Sequence, residues 1–408
     1  RLCLEAAAAK TDAEDVREAI EIRKEYFRRK REQKKAVWLF MDRIDKADDN
    51  GEAFFEYVCR KKPEHADCYF VISRDSPDYD RLAGTGKVVE ALSKEHRILL
   101  LLADYIFTSQ LNGWGENPYG NLEEYFRDLY HRARVVFLQH GVTKDNQANW
   151  LNRYNQNLHA VICSAREEQK AFLEYPYWYE ESRIWNTGMP RMDRLYNADS
   201  KVILFMPTWR KALMEQRLDE DRGIYRWYLK EGFRRSSYRR FYTKILSDRY
   251  FLGKCTEAGY RVIFMPHPIM QPFIGEFQAA DEVEILPYDT SWRELFARGS
   301  ILVTDYSSVA FDFAYLKKPV IYCQFDRKEF FQSHTYQEGY FDYGKMGFGE
   351  IAQTRRKLYQ LIFEYLEQGC REKDIYQERV KAFYTYLDTK CCERIYERVM
   401  KEYDGVPF

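Results

Sequence analysis

ILVTDYSSVAFDFAYLKKPVIYCQFD, residues Ile301–Asp326, decides the fold. Ile301-Leu302-Val303 is an apolar run of strand-forming residues that ends at Asp305. Ser307 and Ser308 are good helix N-cap residues, and an apolar helical stretch follows from Val309 to Leu316. Lys317 and Lys318 put positive charge where a helix C-terminus favours it, and Pro319 stops the helix. Val320–Cys323 then reads as a second buried strand. Strand, short crossover helix and strand make a βαβ unit, and strands this uniformly apolar suit a parallel sheet covered on both faces. The helix starts just beyond a strand's carboxyl end, the edge at which open parallel sheets take ligands. Two readings of the serine pair stay open: simple capping, or hydroxyls and free N–H groups turned toward a phosphate.

The same alternation extends outward in both directions. Upstream, Val37–Phe40, Cys68–Ile72, Lys87–Val89, Tyr105–Thr108, Val135–Leu138, Ala160–Cys163 and Ile184–Asn186 read as strands. Between them lie helical patterns through Phe54, Phe55 and Val58, over Ile98–Ala103, and from Ser164 onward. A second set comprises Val202–Phe205, Val262–Met265, Val283–Leu286, Ile301–Thr304 and Val320–Cys323. The polar stretch Arg191–Ser200 separates the two sets. The expectation is an α/β protein with a charged helical segment over 1–35 and two parallel-sheet domains, 36–193 and 194–349. C-terminal helices follow over 350–408, expected to return to the first domain.

Composition bounds the function. Lys and Arg number 64, against 64 Asp and Glu, so the whole chain has no bias toward polyanions and nucleic acid is not an expected partner. The nine cysteines are scattered without a C-x-x-C pair, and adjacent Cys391 and Cys392 do not share a helix face. They read as reduced thiols of a cytosolic protein. The longest apolar run, Ile98–Ala103, is too short to span a bilayer, and no secretory signal is recognisable. A sequence that starts at Arg1 reads as a piece of a longer protein.

Asp305-Tyr306-Ser307-Ser308, followed by Phe311-Asp312-Phe313 and Lys318-Pro319-Val320-Ile321-Tyr322, resembles the signature of the CDP-glycerol glycerophosphotransferase family, the teichoic acid primases and polymerases of bacterial walls. Four further segments match in order: Leu138–Val142 (LQHGV), Thr187–Asp193 (TGMPRMD), Met206–Arg210 (MPTWR) and Met265–Pro268 (MPHP). The resemblance spans about residues 36–350. It implies a GT-B-like fold, two Rossmann-like domains facing across a cleft. It also implies attack by an acceptor hydroxyl on the β-phosphorus of a CDP-polyol, CDP-glycerol or CDP-ribitol, with CMP leaving. That chemistry asks for a base, positive groups around the diphosphate and a cytidine site.

His140 ends a strand before Gly141, which lets the backbone turn and a ligand come close. An isolated histidine is commonly structural; its strand-end place and the family motif make His140 the expected base. His267, fixed between Pro266 and Pro268, is the second expected catalytic residue, donating to the diphosphate. Thr208 and Arg210 follow a strand, and Arg210 is expected to grip a phosphate in bidentate fashion, the alternative being a surface salt bridge. Asp305, Ser307 and Ser308 complete the expected anion site, with Asp312 a carboxylate in an apolar helix that needs a buried partner. By analogy with GT-B proteins, Tyr288 lies where the cytosine edge is read. Asp49 and Asn50 either touch the acceptor or form a solvated turn. No metal or other cofactor is expected: the acidic groups Asp219-Glu220-Asp221 and Asp48-Asp49 read as solvated, and no histidine pair has ligand spacing.

Tyr225–Leu246, YRWYLKEGFRRSSYRRFYTKIL, interleaves aromatics with basic residues. It reads either as a packed helical hairpin or as a patch for an anionic membrane or phosphate-bearing polymer. The expected partners are therefore a CDP-polyol donor, a lipid-linked or polymer acceptor, and the inner face of the cell membrane, from the cytoplasm. Two other readings compete: a GT-B sugar transferase or epimerase, and a non-catalytic membrane-associated scaffold.

Overall fold

Largely apolar runs of three to seven residues, most of them spaced by helices, assemble the first sheet. The computed structural model describes residues 13–111, 117–129, 133–198, 200–219, 224–287, 289–333 and 337–403. Within these, β1 (Ala36–Met41), β2 (Ala66–Ile72), β3 (Lys87–Glu90), β4 (Tyr105–Thr108), β5 (Arg134–Phe137), β6 (Ala160–Cys163) and β7 (Ile184–Asn186) are all parallel. Their order is β3-β2-β1-β4-β5-β6-β7. Every residue of β1 is buried, because helices cover both faces of the sheet. On one face lies the helix Ala13–Glu32, whose Ala19, Ile22 and Tyr26 recur at helical spacing and pack with Ile98–Leu102. Burying one such side chain contributes about 2 kcal/mol, enough to hold a helix whose exposed face is dense in charge.

The second sheet repeats the plan. It begins with β8 (Val202–Phe205); β9 (Met214–Asp219) and β10 (Ile224–Leu229) then form a separate antiparallel hairpin. The sheet continues through β11 (Arg261–Phe264), β12 (Val283–Ile285), β13 (Gly299–Thr304), β14 (Val320–Cys323) and β15 (Gly349–Ala352), in the parallel order β12-β11-β8-β13-β14-β15. In both sheets chain order reverses beside the first strand, between β1 and β4 and between β8 and β13. These reversals open a crevice at the strands' carboxyl ends.

After the second sheet the helices Arg355–Glu367 and Asp374–Phe383 close its core, and the helix Cys391–Tyr403 crosses to pack on the helix Asn50–Lys61 of the first sheet. Asp193 caps that last helix from a distance, its carboxylate accepting the N–H groups of Cys391 and Cys392 at 2.8 Å each. Both cysteines are buried although neighbours in sequence, because the helix start is enclosed on two sides. All eight described cysteines are free thiols. Among the described residues no helix is long and apolar enough to cross a membrane.

The structure corrects several local expectations. Tyr225–Leu246 is not a helical hairpin: the alternating aromatics of Ile224–Leu229 pair as a strand with β9, and a helix forms only over Ser237–Leu246. Asp48-Asp49-Asn50-Gly51 is not a free turn, since Asn50 and Gly51 already lie in a helix that Asp49 caps. The helix expected from Ser164 starts at Arg166. β15 was hidden by its short, glycine-led sequence.

Candidate active site

Both crevices open on one cleft. The first sheet contributes the loops after β1, β4 and β5; the second contributes those after β8, β11 and β13. At the end of β5, Gln139 adopts a left-handed backbone conformation, φ 64°, which few non-glycine residues take without help. The Asn50 side-chain amide supplies it by donating to the Gln139 carbonyl at 2.7 Å. The turn swings His140 into the cleft. At Gly141 a Cβ would stand 2.5 Å from Ser308 Oγ, so the missing side chain is what lets the loops of the two sheets meet.

His140 is accessible from the cleft yet enclosed by the walls of both sheets. That enclosure lowers its pKa below the usual value; the Asp49 carboxylate pulls the other way and the Arg191 guanidinium adds to the lowering. The imidazole therefore stays neutral and able to take a proton. On the opposite wall, burial together with the charges of Arg43 and His140 pushes the His267 pKa down to about 3. His267 Nδ1 accepts the Ile269 N–H at 3.3 Å, which leaves the proton of the neutral ring on Nε2, as a donor.

Two buried carboxylates hold the loops that carry these groups. Asp42 accepts the N–H groups of Gly51 at 2.8 Å and Glu52 at 3.0 Å, and burial, with the Asp49 charge, pushes its pKa up to about 7. Glu168 accepts the N–H groups of Thr143 and Ser164 at 2.7 Å each, and burial raises it likewise to about 7.

The partner that Asp312 needs is Arg191, which sequence reading assigned to a domain boundary. Arg191 donates to both Asp312 carboxylate oxygens at 2.7 Å, to Asp49 at 2.7 Å and to the His140 carbonyl at 2.9 Å. Its own N–H goes to the Asn50 side chain at 2.9 Å. Asp49 and Asn50 thus belong to a framework rather than to a solvated turn. The signal was present in Thr187–Asp193, one of the recurrent motifs, but nothing local said which side chain reached the cleft.

Arg210 is placed otherwise than expected. It is 5% exposed and spent on Asp305, at 2.8 Å, and Asp326, at 2.7 Å, with its guanidinium 4.8 Å from the Tyr238 ring and 4.9 Å from that of Phe330. Its guanidinium is taken up by a buried ion pair with these two carboxylates. Asp305 is likewise fully buried, accepting from the Thr208 and Tyr306 N–H groups, so it shapes the site from beneath. Ser308 sits at the N-cap of the helix Val309–Tyr315 but makes no side-chain capping bond, and Ser307 Oγ accepts the Val309 N–H at 3.4 Å. Tyr288 lies outside the described residues, as do Glu220 and Asp221.

The cleft divides into two chambers that share His140, His267, Ser307 and Ser308 as their common wall. The larger, about 350 Å³, gathers Arg43, Lys46, Arg191, Arg194 and Arg293 around apolar Ile269, Trp292 and Phe296. The smaller, about 110 Å³, is lined by Gly141, Lys144, Thr208 and Tyr306 among others. Cations around an apolar shelf suit a nucleotide's phosphates and base. The shared wall presents a neutral imidazole, an imidazole donor and two hydroxyls to whatever lies between.

Comparison with known proteins places the chain. The sequence profile of the family described as CDP-glycerol:poly(glycerophosphate) glycerophosphotransferase matches residues 22–401. The chain is 38% identical over 369 residues to the minor teichoic acid biosynthesis protein GgaB of Bacillus subtilis strain 168, covering 90% of this chain and 40% of that protein. It is 24% identical over 271 residues to the teichoic acid poly(ribitol-phosphate) polymerase of Bacillus spizizenii, covering 61% of this chain and 38% of that protein. The chain thus spans about two fifths of the length of these relatives. Among solved structures it superposes on the wall teichoic acid polymerase TagF with TM-score 0.63 and 17% identity, over 97% of this chain and 99% of that one, which establishes a shared fold.

Proposed function

The chain belongs to the CDP-glycerol:poly(glycerophosphate) glycerophosphotransferase family, and on that footing we propose that its cleft transfers a polyol phosphate from a CDP-polyol to an acceptor hydroxyl in the synthesis of a teichoic-acid-like wall or capsule polymer. The acceptor oxygen attacks the β-phosphorus and a phosphodiester bond forms. The bond from that phosphorus to the bridging oxygen breaks, and CMP leaves with the electron pair. His140 takes the acceptor's proton. His267 Nε2–H, with the Ser307 and Ser308 hydroxyls, donates to the phosphoryl oxygens as charge builds on them. The larger chamber holds the CMP moiety.

One observation carries this reading. Histidines from the two sheets, His140 after β5 poised to accept a proton and His267 after β11 poised to donate, line the wall that the two chambers share. The reading invokes no metal: Arg43, Lys46 and Arg293 line the larger chamber and answer the charge of the diphosphate, beside Arg191 and Arg194, which are paired with Asp312, Asp49 and Glu52. The acceptor is a lipid-linked or polymeric polyol, reached from the cytoplasm at the inner face of the membrane. Contact with anionic lipid falls to the exposed Lys230, Arg235 and Arg240, since Arg234 and Arg239 are occupied by Glu276. The deciding assay measures CMP release from CDP-glycerol and CDP-ribitol beside UDP release from UDP-sugars. CMP from a CDP-alcohol supports the proposal; UDP release with no CMP would replace it with a sugar-nucleotide enzyme.

A further inference from the structure

We propose that the smaller chamber is a seat for a glycerol-sized polyol unit, held by Thr208, Gln139 and the Lys144–Asp145 pair; the inference rests on the CDP-polyol reading above. Two polar groups here lack partners among the described residues. Thr208 Oγ1 and Gln139 Nε2 are buried without a hydrogen bond, although Thr208 is only 6% and Gln139 only 1% exposed, and both residues line the chamber. Gln139 is not loose: its Oε1 accepts from the Thr143 hydroxyl at 3.1 Å, which fixes the amide plane and leaves Nε2 over. Native interiors rarely leave such groups bare, and a site that does so is built for something that completes them.

Beside them, Lys144 and Asp145 form an ion pair, 4% and 8% exposed. The Lys144 ammonium lies 5.6 Å from the Tyr343 ring. An ammonium has three donors and a carboxylate about four acceptor positions, so their mutual contact leaves both kinds to spare. The lining therefore offers donors and acceptors in near balance with no net charge. That is a poor match for a phosphate, which needs the cations of the other chamber. It suits hydroxyl groups, each of which donates and accepts. At about 110 Å³ against about 350 Å³ the chamber is the smaller of the two, suited to a short chain of hydroxyl-bearing carbons rather than to a nucleotide. The chamber opens on His140, His267 and Ser308, so a polyol seated in it sits next to the reacting phosphorus. Two sources share this chemistry: the polyol of the donor, and the terminal unit of the acceptor.

Thr208→Val, which keeps the shape and removes the hydroxyl, tests the seat, with Thr208→Ser as the variant that retains it. Calorimetry with CMP and with CDP-glycerol is combined with steady-state KM for a short acceptor. Thr208→Val should bind CMP as the parent does. It should then either weaken CDP-glycerol roughly five- to tenfold, which places the donor's polyol in the chamber, or raise the acceptor KM by a similar factor at unchanged donor affinity, which places the acceptor there. Thr208→Ser should behave as the parent, which separates the hydroxyl from any folding defect. If Thr208→Val matches the parent in both measurements while CMP is still released from CDP-glycerol, the seat is overturned and the proposed reaction stands. If the parent releases CMP from no CDP-alcohol, both fall together.

Discussion

Arg191 grips Asp312 with two parallel hydrogen bonds of 2.7 Å, one residue standing beside the first sheet and the other in the helix after β13 of the second. The Asp312 side chain is 1% exposed, and among the described residues its ion-pair partner is Arg191. Arg191→Met should cost about 3–5 kcal/mol in denaturant unfolding, because it leaves a buried carboxylate unpaired. Arg191→Lys keeps the charge without the fork and should fall between. Arg191→Met combined with Asp312→Leu should recover part of the loss; a double variant no more stable than Arg191→Met would show that the pair is not what Asp312 relies on.

The two histidines should separate kinetically. His140→Ala is expected to bind CDP-glycerol, or its ribitol counterpart, almost as the parent does while turning it over about 10²–10⁴-fold more slowly. His267→Ala should lose both affinity and rate, because its Nε2–H contact serves ground and transition states alike. Calorimetry beside single-turnover rates decides it. Abolished donor binding in a folded His140→Ala, or intact binding in His267→Ala, would reverse the roles.

The depressed histidine pKa values set a pH dependence in two ways. As a base, His140 should make kcat/KM rise with pH to a plateau, with a midpoint below 6.5. For stability, both histidines are neutral in folded and unfolded chains well above 6.5. Below 6.5 the unfolded chain takes protons that the folded chain refuses, at His267 down to about pH 3. The unfolded state then binds more protons, so stability falls as pH falls. His267→Ala should show a shallower loss of stability between about pH 7 and pH 5 than the parent. Parallel slopes would contradict the buried, neutral His267.

Turnover should persist in excess EDTA, since Arg43, Lys46 and Arg293 line the chamber proposed for the diphosphate. Activity lost on chelation and restored by magnesium or manganese would assign that charge to a metal instead.

Neutralising Lys230, Arg235 and Arg240 should weaken binding to anionic vesicles by about 1 kcal/mol per residue, with turnover on a short soluble acceptor little changed. Vesicle binding equal to the parent's would leave the hairpin and the helix Ser237–Leu246 a purely structural role.

The sheets were legible because strand burial on both faces writes itself into the sequence as unbroken apolar runs, as in Val320–Cys323. The place of His140 and His267 in the cleft was legible because strand ends and flanking Gly or Pro mark where the backbone turns at a sheet edge. Arg210 misled for a physical reason: a guanidinium after a strand looks the same whether it meets a phosphate or two carboxylates, and Asp305 and Asp326 lie 95 and 116 residues away. Arg191 was hidden in the same way, its partner Asp312 standing 121 residues on. Unpartnered atoms such as Thr208 Oγ1 have no sequence signature at all.

The chain passes between the sheets twice, after Asp193 and again before Cys391, and the two passages lie side by side: a Cβ on Gly188 would stand 2.4 Å from Cys391 Sγ, and Arg394 donates to the Thr187 carbonyl at 2.9 Å. Both covalent passages between the halves are therefore gathered at one edge, while the halves are tied elsewhere by side chains and loops: Lys46 to the Thr290 carbonyl, Ser291 to Asp48, and the Asn146–Gln337 bridge. Two strands of chain at one edge constrain how far the halves can part there, and the ties elsewhere, being noncovalent, are what holds the rest of the cleft closed.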